Sequence, residues 1–68
     1  MGRYSYIAKW YPGGTSVDIF GIDGHCVGGF GVPPIVCAAC LGPRFFAFNC
    51  QGGSTYIIDA ETGGLMVV

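Results

Sequence analysis

Glycine-containing turn signals recur at short intervals along this chain, and they limit what the segments between them can form. Glycine accepts a positive φ and proline fixes φ, so both residues favour reversal of the chain. Turns about every 8–12 residues are typical of small all-β folds. Five signals divide the sequence: Pro12-Gly13-Gly14, Asp23-Gly24, Gly42-Pro43, Gln51-Gly52-Gly53 and Glu61-Thr62-Gly63-Gly64.

The segments between these turns alternate in polarity, which predicts β-strands because neighbouring residues of a strand point to opposite faces. A sustained 3.6-residue apolar repeat, which would indicate a helix, is missing. The predicted strands cover residues 4–11, 15–22, 44–50, 54–59 and 65–68. We therefore predict an all-β fold, a small antiparallel meander, barrel or sandwich of five to six strands, in one domain over residues 1–68.

Other segments leave their conformation open. Residues 25–32 are so rich in glycine that they fit either a loop or an irregular edge strand. Residues 35–41 lie between two proline-containing turns and fit either one short helical turn or a buried strand. Residues 15–22 change their apolar face midway, so a bulge is expected near Gly21. Residues 44–50 are apolar on both faces, which is typical of a central strand or an interface. No internal repeat is visible in the sequence.

The last predicted hairpin carries a known type of motif. From Tyr56 to Leu65 its sequence reads YIIDAETGGL, which resembles the strand-turn-strand signature of quinoprotein-type β-propeller repeats. The resemblance covers ten of the 68 residues. Propellers contain several repeats of roughly 40–50 residues each. The resemblance therefore implies a β-hairpin, and a single copy does not imply a quinone-dependent enzyme.

Ionised side chains are scarce, because seven of the 68 residues are charged while 51% are hydrophobic. Soluble domains contain about 25% charged residues. A domain of this size buries only about 60% of the surface that its unfolded chain exposes. Much apolar surface must then remain outside unless another molecule covers it. The composition therefore indicates a partner, either further copies of the chain or another protein.

The same composition excludes several functional classes. Nucleic-acid binding depends on clustered Lys and Arg, whereas three basic residues here are outnumbered by four acidic ones. No uninterrupted apolar segment approaches the roughly 20 residues that span a bilayer, so no membrane span is expected. No secretory signal is visible, and we favour the cytoplasm or an assembled particle as the location.

Four cysteines, Cys26, Cys37, Cys40 and Cys50, give the spacing C-x10-C-x2-C-x9-C. The first interpretation is four buried free thiols, because cysteine is among the most buried residue types. The second is two disulfides, with three connectivities that spacing alone does not separate. The third is a zinc site formed by the four thiolates, with His25 beside it as a further ligand. The first interpretation includes no metal and no cofactor.

Polar residues near one another do not predict catalysis. His25 follows the Asp23-Gly24 turn, where an exposed histidine is expected, and its neighbour Cys26 would point to the opposite face of a strand. Asp59 and Glu61 fall in a predicted turn, where carboxylates accept local hydrogen bonds. We therefore expect that this protein is not an enzyme.

The leading functional hypothesis is a non-catalytic structural or interaction protein that self-associates into an oligomer, filament or particle. Terminal strands at residues 4–11 and 64–68 are expected to be open edges that template further pairing. Aromatic side chains in excess of what one small core can absorb are the predicted contacts. They are Tyr4, Tyr6, Trp10, Tyr11, Phe45, Phe46 and Phe48.

Two alternatives accompany this hypothesis. One is a small binding module or inhibitor, of the phage or bacterial accessory type, that masks its apolar face on a protein partner. The other is a zinc-stabilised β domain that uses the four cysteines. Lysine at Phe46 or Phe48 is expected to disrupt assembly or folding, whereas lysine at Asp59 is expected to have little effect.

Overall fold

A computed structural model describes residues 6–68 of the chain. Two open antiparallel sheets make up the fold: a three-stranded sheet A in the order β1-β2-β3 and a four-stranded sheet B in the order β4-β5-β6-β7. The all-β prediction is confirmed, and no helix occurs within residues 6–68. The strands are β1 (Tyr6–Lys9), β2 (Ser16–Gly21), β3 (Cys26–Gly31), β4 (Ile35–Cys40), β5 (Phe45–Cys50), β6 (Thr55–Asp59) and β7 (Gly64–Val67).

Residues 35–41 were expected to form either a helical turn or a buried strand. They form strand β4, and the expectation of burial is wrong for all of its residues except Ile35. The strand pairs with β5 from Ile35 opposite Cys50 to Cys40 opposite Phe46. So short a segment does not nucleate a stable helix, whereas β5 offers a ladder of backbone hydrogen-bond partners. The glycine-rich segment before it also forms a strand, β3, because its backbone pairs along β2. With both segments in sheets, the strand count exceeds the five to six predicted.

The positions of strands within the sheets agree with two sequence predictions. β5 lies between β4 and β6, as its apolar side chains on both faces indicated. Within the described residues, β1 and β7 each pair with one neighbour only and are edge strands. A bulge was predicted near Gly21, and the pairing of β2 with β3 contains one beside this residue. Ile19 pairs with Gly28 and Phe20 pairs with Cys26, so the extra residue lies in β3.

The core lies between the two sheets, and each sheet contributes one face to it. Trp10 contacts Phe48 edge-to-face, with ring centroids 6.0 Å apart and an interplanar angle of 80°. Each fully buried large aliphatic or aromatic side chain stabilises the fold by roughly 1.5–3 kcal/mol. The buried core residues are Val17, Ile19, Val32, Ile35, Phe48, Cys50, Ile58 and Ala60.

Backbone hydrogen bonds also join the two sheets. The amide of Gly13 donates to the carbonyl of Ile35 at 2.7 Å, and the amide of Ile35 donates to the carbonyl of Gly14 at 3.0 Å. The β1–β2 turn is thereby fixed to the first residue of β4. Because these bonds lie beside the buried Ile35 side chain, water competes poorly for them.

One turn has the same hydrogen bond in sheet A and in sheet B, although no repeat was recognised in the sequence. In the β1–β2 turn the amide of Gly14 donates to the carbonyl of Tyr11, and in the β5–β6 turn the amide of Gly53 donates to that of Cys50. Gly24 of the β2–β3 turn and Gly63 of the β6–β7 turn both have a positive φ, of 87° and 76°. Sheet A and strands β5, β6 and β7 therefore share their strand order and their first turn. Their second turns differ, because Gly24 donates to Gly21 whereas Gly63 donates to Asp59.

Strand pairing defines which faces of the two sheets correspond. Ala8 is opposite Ile19 in sheet A, and Ala47 is opposite Ile57 in sheet B. The amide of Val32 donates to Thr15 just before β2, and the amide of Val68 donates to Thr55 of β6. Every second residue of a strand has the same orientation, so the backbone groups of Ile19 point toward β3 as those of Ile57 point toward β7. For L-residues this orientation fixes the face of the side chain. The two sheets therefore present corresponding faces in the same direction.

Candidate interaction surface

The aromatic residues predicted as contacts separate into core and surface positions. Phe48 is 1% exposed and belongs to the core, which corrects its assignment to an interaction surface. Tyr6, Trp10 and Phe46 are half-buried and pack against the core on the inner faces of the sheets. Tyr11 is 67% exposed, beside the β1–β2 turn. Tyr4 lies outside the described residues.

Sheet B has a second face, directed away from sheet A, which we call the distal face of sheet B. The register of β4, β5, β6 and β7 places nine residues on it. Most are apolar, and Met66 is 57% exposed. Arg44 lies over the ring of Phe45, but no strand among residues 6–68 packs on this face. It consists of Cys37, Ala39, Phe45, Ala47, Asn49, Thr55, Ile57, Asp59 and Met66.

Two shallow hollows lie on this distal face. One has a volume of about 200 Å³ and is lined by Phe45, Ile57 and Met66, with Asp59 at its edge. The other has a volume of about 100 Å³ and lies between Cys37, Ala47 and neighbouring residues of β4 and β6. Small side chains such as alanine leave room for side chains of a second surface. The distal face therefore contains two concave areas that are lined mostly by apolar side chains.

An ion-pair cluster borders the distal face. The guanidinium of Arg44 donates two hydrogen bonds to Asp59, from Nε to Oδ1 at 3.0 Å and from Nη2 to Oδ2 at 2.5 Å. Its Nη1 donates to Oε1 of Glu61 at 3.0 Å. The Asp59 carboxylate also accepts the amides of Glu61 and Thr62 in the turn. Arg44 lies over the ring of Phe45, 5.0 Å from its centroid.

Charge and hydrogen bonding shift both partners of this pair in the expected directions. The Arg44 guanidinium, with the two turn amides, lowers the pKa of Asp59 below its usual range. The hydrogen bond to Asp59 raises the pKa of Arg44. Asp59 thus joins the start of β5 to the β6–β7 turn. The expectation that lysine at Asp59 has little effect is corrected, because the lysine would face Arg44.

Sheet A also has a distal face, directed away from sheet B. Ile7 opposite Phe20 and Lys9 opposite Asp18 occupy it, and Cys26 continues it beyond Phe20. Ile7 is 59% exposed. This face therefore combines one apolar pair with one pair of opposite charges.

An apolar groove of about 220 Å³ separates the inner faces beside the edge of β1. Ala8 and Trp10 form one wall, and Phe46, Phe48 and the small residues of β4 form the other. Sheet B has a strand, β4, beside β5, whereas sheet A has no corresponding strand beside β1 among the described residues. The groove is a second place where an apolar segment could pack.

The four cysteines do not come together. Cys26, Cys37 and Cys40 are exposed, so the interpretation as buried thiols is wrong for them and is confirmed for Cys50 alone. Burial raises the pKa of the Cys50 thiol. All four are free thiols. Tetrahedral zinc requires Cys sulfurs about 2.3 Å from one point. No three His, Cys, Asp or Glu residues are grouped closely enough for that within residues 6–68.

His25 is exposed, as predicted. Its backbone amide donates to the side chain of Asp23 in the β2–β3 turn at 3.0 Å. Residues 64–68 were predicted as an open edge, but the exposed side chains of Leu65, Met66 and Val67 were not among the predicted contacts. Four consecutive apolar residues at 65–68 were the available signal, because they contain no polar face for solvent.

Comparison with models of known protein families, with curated proteins and with solved structures finds no match to this chain. Among residues 6–68, no helix of the length and apolar character that crosses a membrane is present.

Proposed function

We propose that this protein is a non-catalytic structural subunit that associates with further copies of itself through its uncovered sheet faces. The observation that carries the proposal is the distal face of sheet B, which is apolar and uncovered. Soluble monomers rarely expose a contiguous apolar patch larger than a few hundred Å². Burial of such a face against another copy removes it from water and stabilises the assembly.

The distribution of apolar residues also supports self-association. Within residues 6–68, eight hydrophobic residues form the buried core, while ten large hydrophobic residues are exposed. Four of the exposed ones, Leu65, Met66, Val67 and Val68, are consecutive on the edge strand β7 and beyond it. An open edge with apolar side chains can pair with a further strand.

Light scattering of the purified protein at micromolar concentration tests the proposal, with lysine variants that report on one face. Met66→Lys places a charge on the distal face of sheet B and is expected to reduce the measured mass to that of one chain. Ile22→Lys is the matched control, because Ile22 is 76% exposed in the β2–β3 turn, outside that face. A wild-type protein that scatters as one chain at all concentrations contradicts the proposal.

A second candidate is a binding module for a protein partner, and the groove beside β1 favours it. An extended segment of a partner could pair with the β1 edge and place apolar side chains between Trp10 and Phe46. The exposed thiol of Cys40 lines the same groove. A partner bound in the groove would protect Cys40 from alkylation. Under this second candidate function, the wild-type protein is expected to be monomeric when it is purified alone.

A further inference from the structure

The correspondence between the two sheets indicates which surfaces meet when copies associate. Ile19 of sheet A and Ile57 of sheet B occupy the same place in their sheets, as do Ala8 and Ala47. In sheet A this face packs on sheet B, and Ile19 is fully buried. In sheet B the corresponding face is the distal face, which has no sheet packed on it within the described residues. The packing of sheet A on sheet B therefore indicates which kind of surface would cover the distal face of sheet B.

By this correspondence, the surface that would pack on the distal face of sheet B is one that corresponds to the inner face of sheet B. On the inner face Phe46 is opposite Ile58, and the corresponding pair of sheet A is Ile7 opposite Phe20. Both pairs are apolar, and the pair in sheet A lies on its distal face. A second copy therefore carries one apolar pair of this kind on its distal face of sheet A, next to Lys9 and Asp18, which take the place of Phe48 and Tyr56.

We infer that copies of this chain stack head-to-tail, with the distal face of sheet B on one copy packed against the distal face of sheet A on the next. The inference rests on the proposed self-association and specifies its geometry. The new contact continues the inter-sheet packing already present within the chain. Lys9 and Asp18 are opposite each other in the register of sheet A, so stacking brings two opposite charges into the contact together.

Head-to-tail contacts between identical subunits close into a ring when the rotation between subunits permits closure. Rings of stacked four-stranded antiparallel sheets, the β-propellers, contain about four to eight sheets. Sheet A has three strands among the described residues and sheet B has four. If the contact closes as it does in those proteins, two sheets in each chain give a ring of about two to four chains.

A mixing experiment with two variants tests this geometry. Ile7→Lys alters the distal face of sheet A, and Met66→Lys alters that of sheet B. In a head-to-tail assembly every contact uses one face of each kind, so each variant alone is expected to be monomeric. An equimolar mixture retains one unaltered pair of faces and is expected to form a 1:1 dimer. Native mass spectrometry separates the two variants by mass.

Other outcomes overturn the inference and remain distinguishable from failure of the proposed function. If Ile7→Lys keeps the wild-type oligomer, or if the mixture stays monomeric, copies associate in another way and the head-to-tail geometry is wrong. If the wild-type protein is itself monomeric, self-association is wrong. Ser16→Arg and Ala39→Lys provide a second pair on the same two faces, and circular dichroism confirms that each variant retains its sheets.

Discussion

Trp10 packs edge-to-face on Phe48, with ring centroids 6.0 Å apart, and this contact joins the end of the β1 segment to the centre of sheet B. Phe48→Ala is expected to destabilise the protein by about 3–5 kcal/mol, because it leaves a cavity between the sheets. Val36→Ala, at a residue 57% exposed, is the control and should change stability by no more than about 0.5 kcal/mol. The fluorescence of Trp10, the single tryptophan, reports unfolding in urea. Equal midpoints for both variants would contradict this account of the core.

Asp59 gives the stability of sheet B a defined pH dependence. Because Arg44 lowers the pKa of Asp59 in the folded state, ionised Asp59 stabilises the fold above its unfolded pKa of about 3.9. That stabilisation is lost as the pH falls through the lower, folded pKa. We expect Asp59→Asn to lower the thermal midpoint at pH 7 and to differ less from wild type as the pH falls below about 4.

Glu61→Gln is the matched control for this pH effect. Glu61 contacts the same arginine, but its side chain is 59% exposed, and exposed ion pairs contribute little to stability. The control should therefore melt close to wild type at pH 7. A loss in Glu61→Gln as large as that in Asp59→Asn would contradict the larger contribution assigned to the Arg44–Asp59 pair.

The β6–β7 turn depends on the positive φ of Gly63. An L-residue in this conformation costs roughly 1–2 kcal/mol, so Gly63→Ala is expected to destabilise the protein by about that amount. Gly31→Ala is the control, because Gly31 has ordinary φ and open space around its Cα. Urea unfolding of both variants at pH 7 checks the difference. Equal stability of the two variants would contradict the assignment.

The four thiols provide a labelling test of the proposed contacts. Cys26 lies on the distal face of sheet A, Cys37 on that of sheet B, and Cys40 in the groove beside β1. In the head-to-tail assembly, alkylation followed by peptide mass mapping should find Cys26 and Cys37 protected and Cys40 reactive. Cys50 should react slowly in any folded form, because it is buried and its pKa is raised. Rapid alkylation of Cys26 and Cys37 in the intact oligomer would contradict these contacts.

The sequence was sufficient to predict the all-β class, because it depends on local alternation and turn residues. Apolar side chains on both faces of residues 44–50 indicated a central strand or an interface, and β5 is central in sheet B. The sequence did not distinguish a helical turn from strand β4, since the pairing of Ile35 with Cys50 is a tertiary contact. The repeat was invisible because it lies in hydrogen bonds and register, where the pair Ala8 and Ile19 corresponds to the pair Ala47 and Ile57. The corresponding positions, such as Ala8 and Ala47 or Gly14 and Gly53, lie at nearly the same separation along the sequence, but the two segments share few residue types.

The interaction surface was predictable only in its general character. Low charge and excess apolar residues indicated an uncovered surface, but composition does not say which aromatic side chains occupy it. Phe45 and Phe46 are neighbours with similar side chains, yet they point to opposite faces of sheet B. Their roles follow from which face sheet A covers, and that depends on packing between the sheets.

Sedimentation equilibrium of the untagged wild-type protein across a range of micromolar concentrations tests the central claim most directly. The account predicts a mass of two to four times the 7.1 kDa of one chain, and a lower mass for Met66→Lys. A wild-type mass of one chain at every concentration, with folded β-structure by circular dichroism, would contradict it.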